Sequence, residues 1–204
     1  MATTITVQDR LSQVLVSWCG LLSSWAADGS LVSAAESALA LNSSNALPGS
    51  ASLLQSLSTQ WAAGEFSSLP PILLLPAEAI SGAYGAYATS TDSIYINESW
   101  LLTASDEQIA AVLTEELGHF LDAHLNQSDT PGDEGEVFSN LLLSPSAAAS
   151  SSSADDSIVI TVNGTSISAE AATATNTLNI DLSQGPQAII AKASITDATG
   201  LGYY

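Results

Sequence analysis

One helix constrains the fold of this 204-residue chain more than any other segment. Ser105 followed by Gln108 is the pattern of a capping box and predicts a helix over residues 106–125. Apolar residues recur along it at three- and four-residue steps, so one side of the helix should face a core. Glu115 and His119 lie four residues apart, which places them one above the other on a single face. The pair is therefore arranged as two ligands for one metal ion.

The adjacent residue Glu116 is the candidate catalytic base. It lies nearer the apolar side of the helix, where a carboxylate is costly unless it is paired, protonated or bound to another group. Partial burial raises the pKa of such a carboxyl, which suits a general base near neutral pH. A solvated acidic face is the alternative interpretation of the two glutamates. We favour a metal site because His119, one of only 2 histidines, lies at helical spacing from Glu115 and from Asp122, which is expected to orient the His119 ring.

An acidic cluster after the helix supplies candidates for a third ligand. A catalytic zinc ion in proteins has three protein ligands and a water in the fourth position. Asp133, Glu134 and Glu136 follow a turn and can return to the same site. We predict Glu134, because Gly135 beside it allows close approach of the backbone, and Glu136 is the second choice. An ordinary helix start is the alternative, since the helix dipole favours acidic residues there.

The charge balance excludes two classes of partner. The chain has 2 Lys and Arg residues against 21 Asp and Glu, a net charge of -19. Such a chain cannot neutralise phosphates, so we expect no binding to nucleic acid or to anionic membrane surfaces. No apolar run has the length of a membrane span, and Arg10 precedes only a short amphipathic segment, so no cleavable export signal is expected at the N-terminus. The scarcity of trypsin-type cleavage sites favours an extracellular or cell-surface location, with any export signal elsewhere.

The remaining patterns predict an α+β fold. Apolar stripes predict three N-terminal helices, and a continuous apolar run over Ile72–Leu75 is consistent with a buried strand. Two aromatic runs within 82–97 predict a hairpin, either a plain antiparallel edge or a strand that aligns a substrate. Asn163-Gly164 predicts a second hairpin, and further strand candidates lie beyond residue 176.

We expect N-terminal helices, a small mixed sheet with an edge hairpin, the motif helix and a short β-rich C-terminal extension. The predicted division is a domain over 1–143 (helical over 1–65, sheet and motif helix over 70–143), a Ser/Ala-rich linker over 144–157 and a β-rich segment over 158–204.

Glu115-Glu116-Leu117-Gly118-His119 resembles the H-E-x-x-H helix of zincin-type metallopeptidases, with glutamate in place of the first histidine. Together with Pro131-Gly132-Asp133-Glu134-Gly135, it is similar to a domain found near the start of large secreted cyanobacterial proteins, which often continue into calcium-binding or adhesive β-repeats. The resemblance covers about residues 72–143 and implies Glu116 as the base and His119 as a ligand. Glu115 departs from the family pattern.

The ligand set bears on the ion and on its chemistry. Two glutamates and one histidine are harder ligands than two histidines and one glutamate. Zinc stays the favoured ion, but the affinities for manganese, iron and calcium rise relative to that for zinc. The extra negative charge also weakens the Lewis acidity of the ion. A tyrosine from the hairpin is a candidate for stabilising the oxyanion, and the sequence does not choose among Tyr84, Tyr87 and Tyr95.

The leading prediction is a secreted or cell-surface metal-dependent peptidase or self-processing domain that acts on peptide bonds. An ion on Glu115, His119 and Glu134 would work with Glu116 as the base. The alternative is a non-catalytic extracellular structural, adhesive or filament-forming protein on a degenerate peptidase scaffold, which self-associates through C-terminal strands. A calcium-stabilised module without chemistry is a third interpretation.

Overall fold

The N-terminal third of the chain is helical. The computed structural model describes residues 5–144 and 156–173. The first helices are α1 (Val7–Asp28), α2 (Ser30–Ala38) and α3 (Ser50–Ala62). Gly29 separates α1 from α2 with a φ of 81°, a left-handed conformation that suits glycine. The apolar stripes of these helices bury large side chains, including Trp18 and Trp61, so the three predicted helices are confirmed.

A mixed sheet of three strands follows. Its strands are β1 (Ile72–Leu75), β2 (Gly85–Ala88) and β3 (Ser93–Asn97), in the order β1-β3-β2. β2 and β3 form the predicted antiparallel hairpin, and β1 pairs with β3 in parallel. The expectation of a buried β1 was wrong, because β1 forms an edge of the sheet and leaves the Leu73 side chain 45% exposed.

The predicted motif helix runs through the centre of the fold. After α4 (Glu98–Leu101), α5 (Asp106–Leu125) begins with the expected capping box of Ser105 and Gln108. Every residue from Ile109 to Asp122 is buried, so α5 is enclosed on all sides rather than on one apolar face. The last helix, α6 (Glu134–Leu143), packs against α5. A buried polar face in the centre of a domain needs partners within the protein.

The C-terminal hairpin covers the other face of the sheet. Its strands β4 (Ile158–Val162) and β5 (Thr165–Ala169) are joined by Asn163-Gly164, both with positive φ, as the sequence predicted. Side chains alternate across the sheet, so Tyr87 faces the main core while Tyr95 faces a second core that includes Ile160 of the hairpin. The fold is α+β, as predicted.

Some sequence predictions concern residues outside the described ranges. Most of the predicted linker and the strands expected beyond residue 176 lie outside the described residues. The predicted division at 143 and 158 stays a prediction. Among the described residues, none of the helices combines the length and the hydrophobicity that a membrane span requires.

Candidate active site

The candidate site lies where the middle of α5 meets the start of α6. Two glycines allow the contact, because a Cβ atom on Gly118 would lie 2.8 Å from the Cα of Gly135. The close approach of the helices brings together five acidic or imidazole side chains that are at most 3% exposed. These residues are Glu115, Glu116, His119, Asp133 and Glu134.

Carboxylates flank both nitrogens of the His119 ring. Nδ1 lies 2.8 Å from Oε1 of Glu134 and 2.9 Å from Oε2 of Glu170, and Nε2 lies 3.3 Å from Oδ2 of Asp156. Burial alone would lower the pKa of His119, but hydrogen bonding to Asp156, Glu134 and Glu170 outweighs it and raises the pKa well above the ordinary value. In the absence of an ion, the ring is therefore held as a cation among acids.

One group of four side chains has the arrangement of a metal site. Ligand atoms of Glu115, His119, Asp133 and Asp156 all lie within 4.8 Å of one another. Oε1 of Glu115 is buried and has no hydrogen-bond partner within the described part of the chain, and the buried Nε2 of His119 lies 3.3 Å from the Asp156 carboxylate. A buried polar atom without a partner, such as Oε1 of Glu115, is rare, and a cation between the two atoms would bind both. The residues therefore fit a divalent metal ion.

The carboxyl groups around this point repel one another. Burial raises the pKa of Glu115 well above its ordinary value, and the charges of Glu116 and Asp133 raise it further. Burial also raises the pKa of Asp133 to about 6, with a further contribution from Asp156. A divalent cation would reverse this balance, because it stabilises the ionised form of each carboxyl.

Glu116 points toward the sheet rather than into the group of four. Its Oε1 accepts a hydrogen bond of 3.0 Å from the backbone N–H of Ala172, and its Oε2 is buried with no hydrogen-bond partner among the described residues. Burial raises the pKa of Glu116 to about 8. The side chain lies against β2, where a Cβ atom on Gly85 would come within 2.7 Å of Oε1. A buried carboxylate with a free oxygen and a pKa near neutrality has the properties of a general base.

Comparison with known protein families agrees with this geometry. The model of peptidase family M48 matches residues 54–184, which is more than half of the chain. The chain belongs to peptidase family M48. This is a zincin-like metallopeptidase family, so the resemblance read from the motif is confirmed at that level. No curated protein and no solved structure matches the chain.

The sequence anticipated part of this M48 site. Glu115, Glu116 and His119 lie together on the predicted motif helix, and Glu134 at the start of α6 lies beside them. Glu136 lies in the first turn of α6, where its backbone N–H donates to Oδ1 of Asp133.

Asp122 does not hold the His119 ring. Its carboxylate accepts hydrogen bonds from the backbone N–H of Thr130 at 3.0 Å and from the side chains of Thr130 and Asn126 at 2.6 Å each. It therefore anchors the loop after α5, and Glu134 makes the contact to Nδ1 that was expected of Asp122. Helical spacing gave Asp122 the right face but could not indicate that the following loop folds back onto it.

Two acidic residues of the site come from the C-terminal hairpin and were missed. Asp156 lies two residues before the hairpin, in the predicted linker, and Glu170 immediately follows it. The one available signal was the Asn163-Gly164 turn, because a tight hairpin brings the residues at its two ends together. Nothing in the sequence indicated that these ends lie against α5.

The hairpin tyrosines have other partners. The hydroxyl of Tyr87 donates to Asp92 at 2.9 Å, and that of Tyr95 to Thr91 at 3.0 Å, both in the turn between β2 and β3. Tyr84 stacks on Trp100 with ring centroids 4.8 Å apart. Of the three candidates for oxyanion stabilisation, Tyr84 is the one whose hydroxyl is not engaged in that turn, and its role stays a prediction.

Proposed function

We propose that this M48 domain is a metal-dependent peptidase with an ion held by Glu115, His119 and Asp133. The convergence of two buried ligand atoms carries the proposal: Oε1 of Glu115 has no hydrogen-bond partner among the described residues, and Nε2 of His119 faces the Asp156 carboxylate at 3.3 Å. An ion bound there supplies Lewis acidity toward a water molecule and a peptide carbonyl. Zinc is the favoured ion, and the carboxylate-rich ligand set also suits manganese, iron or calcium.

Asp133 is a better third ligand than Glu134, which the sequence favoured. The Glu134 carboxylate lies 2.8 Å from Nδ1 of His119, on the side of the ring away from the group of four. In that position it accepts the Nδ1 proton, fixes the tautomer and leaves the Nε2 lone pair for an ion. Glu134 as a direct ligand, in the alternative group with His119 and Glu170, stays a prediction that the variants below distinguish.

Glu116 acts on protons. Its carboxylate accepts a proton from the attacking water and returns it to the amide nitrogen that leaves when the peptide C–N bond breaks. Because the side chain is buried, bulk water does not compete for its hydrogen bonds. With a pKa of about 8, Glu116 can hold the proton between accepting it from water and donating it to the amide nitrogen. Peptides or proteins are accordingly the proposed substrates.

Metal analysis combined with a peptidase assay tests this proposal. Protein purified without chelators should hold about one ion per chain by mass spectrometry. The ion should be lost in His119→Ala, weakened more in Asp133→Asn than in Glu134→Gln, and retained in Glu116→Gln. Cleavage should be lost in both His119→Ala and Glu116→Gln. Unchanged cleavage by Glu116→Gln would refute the assigned base.

His124 offers the matched control. It is the second histidine of the chain and lies on the same helix, but its ring packs on Phe120 and its Nδ1 lies 2.9 Å from the Phe120 carbonyl oxygen. His124→Ala should therefore keep both the ion and the cleavage. Loss of the ion in His124→Ala would mean that metal content follows fold stability rather than the proposed site.

A secreted or cell-surface location is the second part of the proposal. It is supported by the near absence of lysine and arginine, and fractionation of the source cells with antibody detection tests it. The non-catalytic alternative has one supporting observation, the exposed edge strand β1 with its Leu73 side chain, which can pair with another chain. A strictly monomeric particle at high concentration, by light scattering, would count against that alternative.

A further inference from the structure

The edge of β2 next to the candidate site is covered by the chain itself. Backbone hydrogen bonds join Tyr87 and Glu170 in both directions, at 2.9 and 3.0 Å, and the Tyr84 N–H donates to the Ala172 carbonyl at 2.8 Å. Residues 170–172 therefore lie along β2 as an additional antiparallel strand. We call Asp156–Ala172, which comprises the hairpin and this strand, the covering segment.

The covering segment contacts each reactive part of the site. At its end, the Ala172 N–H donates to Oε1 of Glu116. At its start, the Asp156 carboxylate lies 3.3 Å from Nε2 of His119 and is held in place by the Ala171 N–H at 3.0 Å. A hydrolytic metal site needs an open position beside its three protein ligands. Asp156 is a fourth ligand candidate in that place, so the same segment engages both the base and the open position.

The contact at Glu116 has the form of a substrate contact. Hydrolysis of a peptide requires a proton on the leaving amide nitrogen, and the base delivers it from within hydrogen-bond distance. The nitrogen of Ala172 occupies this position at 3.0 Å from Oε1. The neighbouring side chains are small and enclosed, with Ala171 and Ala172 exposed by 0% and 2%. The space beside the base therefore accommodates methyl groups and excludes large side chains.

From these contacts, and resting on the proposed function, we propose that the covering segment is a resident substrate analogue. It holds the peptidase closed, and it must leave β2 before another peptide is bound. The groove that it vacates takes an extended peptide with alanine-sized side chains opposite Glu116. The substrate class is thus unfolded or extended chain rich in small residues, bound by backbone pairing to β2 with little contribution from charge.

Hydrogen exchange in the unaltered, metal-free protein tests whether the segment leaves. The amides of Tyr84 and Tyr87 donate to the covering segment, whereas the Ile94 amide donates to Pro71 within the sheet. If the segment detaches as a unit, the first two amides should exchange together and at least about tenfold faster than Ile94. Equal protection of all three would make the segment a permanent strand of the fold and overturn the proposal.

Two matched variants test what the groove accepts. Proline at positions 170 and 172 removes the N–H groups that donate to Tyr87 and Glu116, while Glu170→Ala with Ala172→Ser keeps both N–H groups. The probe is a fluorescent peptide with the sequence of residues 168–174, compared with one that has tryptophan in place of both central alanines. In fluorescence anisotropy, the Glu170→Pro/Ala172→Pro protein should bind the alanine peptide at least about tenfold more tightly than the control variant does. Equal binding by the two variants, or equal binding of the two peptides, would overturn the proposal.

These measurements separate the covering segment from the catalytic proposal, because neither needs metal or cleavage. If exchange and peptide binding are as expected but the metal-loaded protein hydrolyses no peptide, the proposed role of the covering segment stands and the peptidase proposal is refuted. If the parent protein hydrolyses the alanine peptide at the same rate as Glu170→Pro/Ala172→Pro, the peptidase proposal stands and the proposed role of the covering segment is refuted.

Discussion

The contact between α5 and α6 makes Gly135 the position at which the smallest change should have the largest effect. A Cβ atom at Gly135 would overlap Nε2 of His119 and would lie 2.6 Å from Cε1 and 2.8 Å from the carbonyl oxygen of Glu115. The ring cannot retreat easily, because Glu134 and Glu170 hold Nδ1 on its other side. The carbonyl belongs to the backbone of a buried helix. One methyl group therefore meets both the backbone of α5 and the nitrogen assigned to the ion.

The expected magnitude follows from two opposing terms. Alanine normally stabilises a helix interior relative to glycine by about 0.5–1 kcal/mol. Overpacking a core typically costs about 1–3 kcal/mol, and the overlap at Gly135 belongs at the upper end because one neighbour is backbone. Gly135→Ala should therefore lower the free energy of unfolding by about 2 kcal/mol net.

Gly20→Ala is the matched control for this change. Gly20 also lies within a helix, and a Cβ atom there would meet nothing within 4 Å. This variant should gain about 0.5–1 kcal/mol, so the two variants should differ by about 3 kcal/mol in urea denaturation. Gly135→Ala should also weaken zinc binding by about 10- to 100-fold in a competition titration, because the methyl group occupies the approach to Nε2. Equal stabilisation by both substitutions, with zinc binding intact, would refute the proposed geometry.

Three further predictions follow from the contacts of the site and the core. In EDTA-treated protein, burial raises the pKa of Glu116 from 4.5 to about 8, so the folded state retains a proton that the unfolded state loses and stability falls as the pH rises through this window. Glu116→Gln should reduce that fall by up to about 4 kcal/mol between about pH 5 and pH 9 in urea titrations, and an unchanged fall would contradict the shift. Asp122→Ala leaves the buried N–H of Thr130 unpaired, so it should lower the free energy of unfolding by about 3 kcal/mol without changing the metal content. Loss of the ion in this variant would support the orienting role that the sequence predicted for Asp122. Trp18→Phe removes a 3.0 Å hydrogen bond to Thr114 and should cost about 1 kcal/mol by thermal unfolding, and no change would show that water replaces it.

The parts of the fold that local patterns specify were predictable. The start of α5 follows from the reciprocal hydrogen bonds of Ser105 and Gln108, and the turn at Asn163-Gly164 follows from its tolerance of positive φ. The burial of β1 was not predictable in the same way. Its apolar run is compatible with either a central or an edge strand, and the choice depends on which strand pairs beside it.

The candidate site was likewise predictable only where local sequence determines it. Spacing along α5 is enough to place Glu115 and His119 on one face, because the helix fixes the directions of both side chains. The choice between Asp133 and Glu134 depends on the angle at which α6 starts, and that angle is set by the glycine contact between the helices. Asp156 belongs to the site only because the hairpin packs on the sheet, a contact that involves residues distant in sequence. Sequence reasoning therefore identified the candidate ligands on one helix and missed Asp156, a candidate that reaches the site through tertiary structure.

Glutamate in place of histidine at position 115 adds a negative charge to the proposed metal site. Glu115, Asp133 and Asp156 would bring three carboxylates to the proposed ion, so a divalent cation would leave the closed group with net negative charge. Departure of Asp156 with the covering segment would remove one of these charges and expose a more electrophilic ion. Ion binding and release of the covering segment must then be coupled reciprocally: an ion that binds Asp156 lowers the equilibrium constant for release by the same factor by which release lowers the affinity for the ion. Addition of zinc should accordingly slow exchange at the Tyr87 amide in the parent protein, and in Asp156→Ala that effect should disappear.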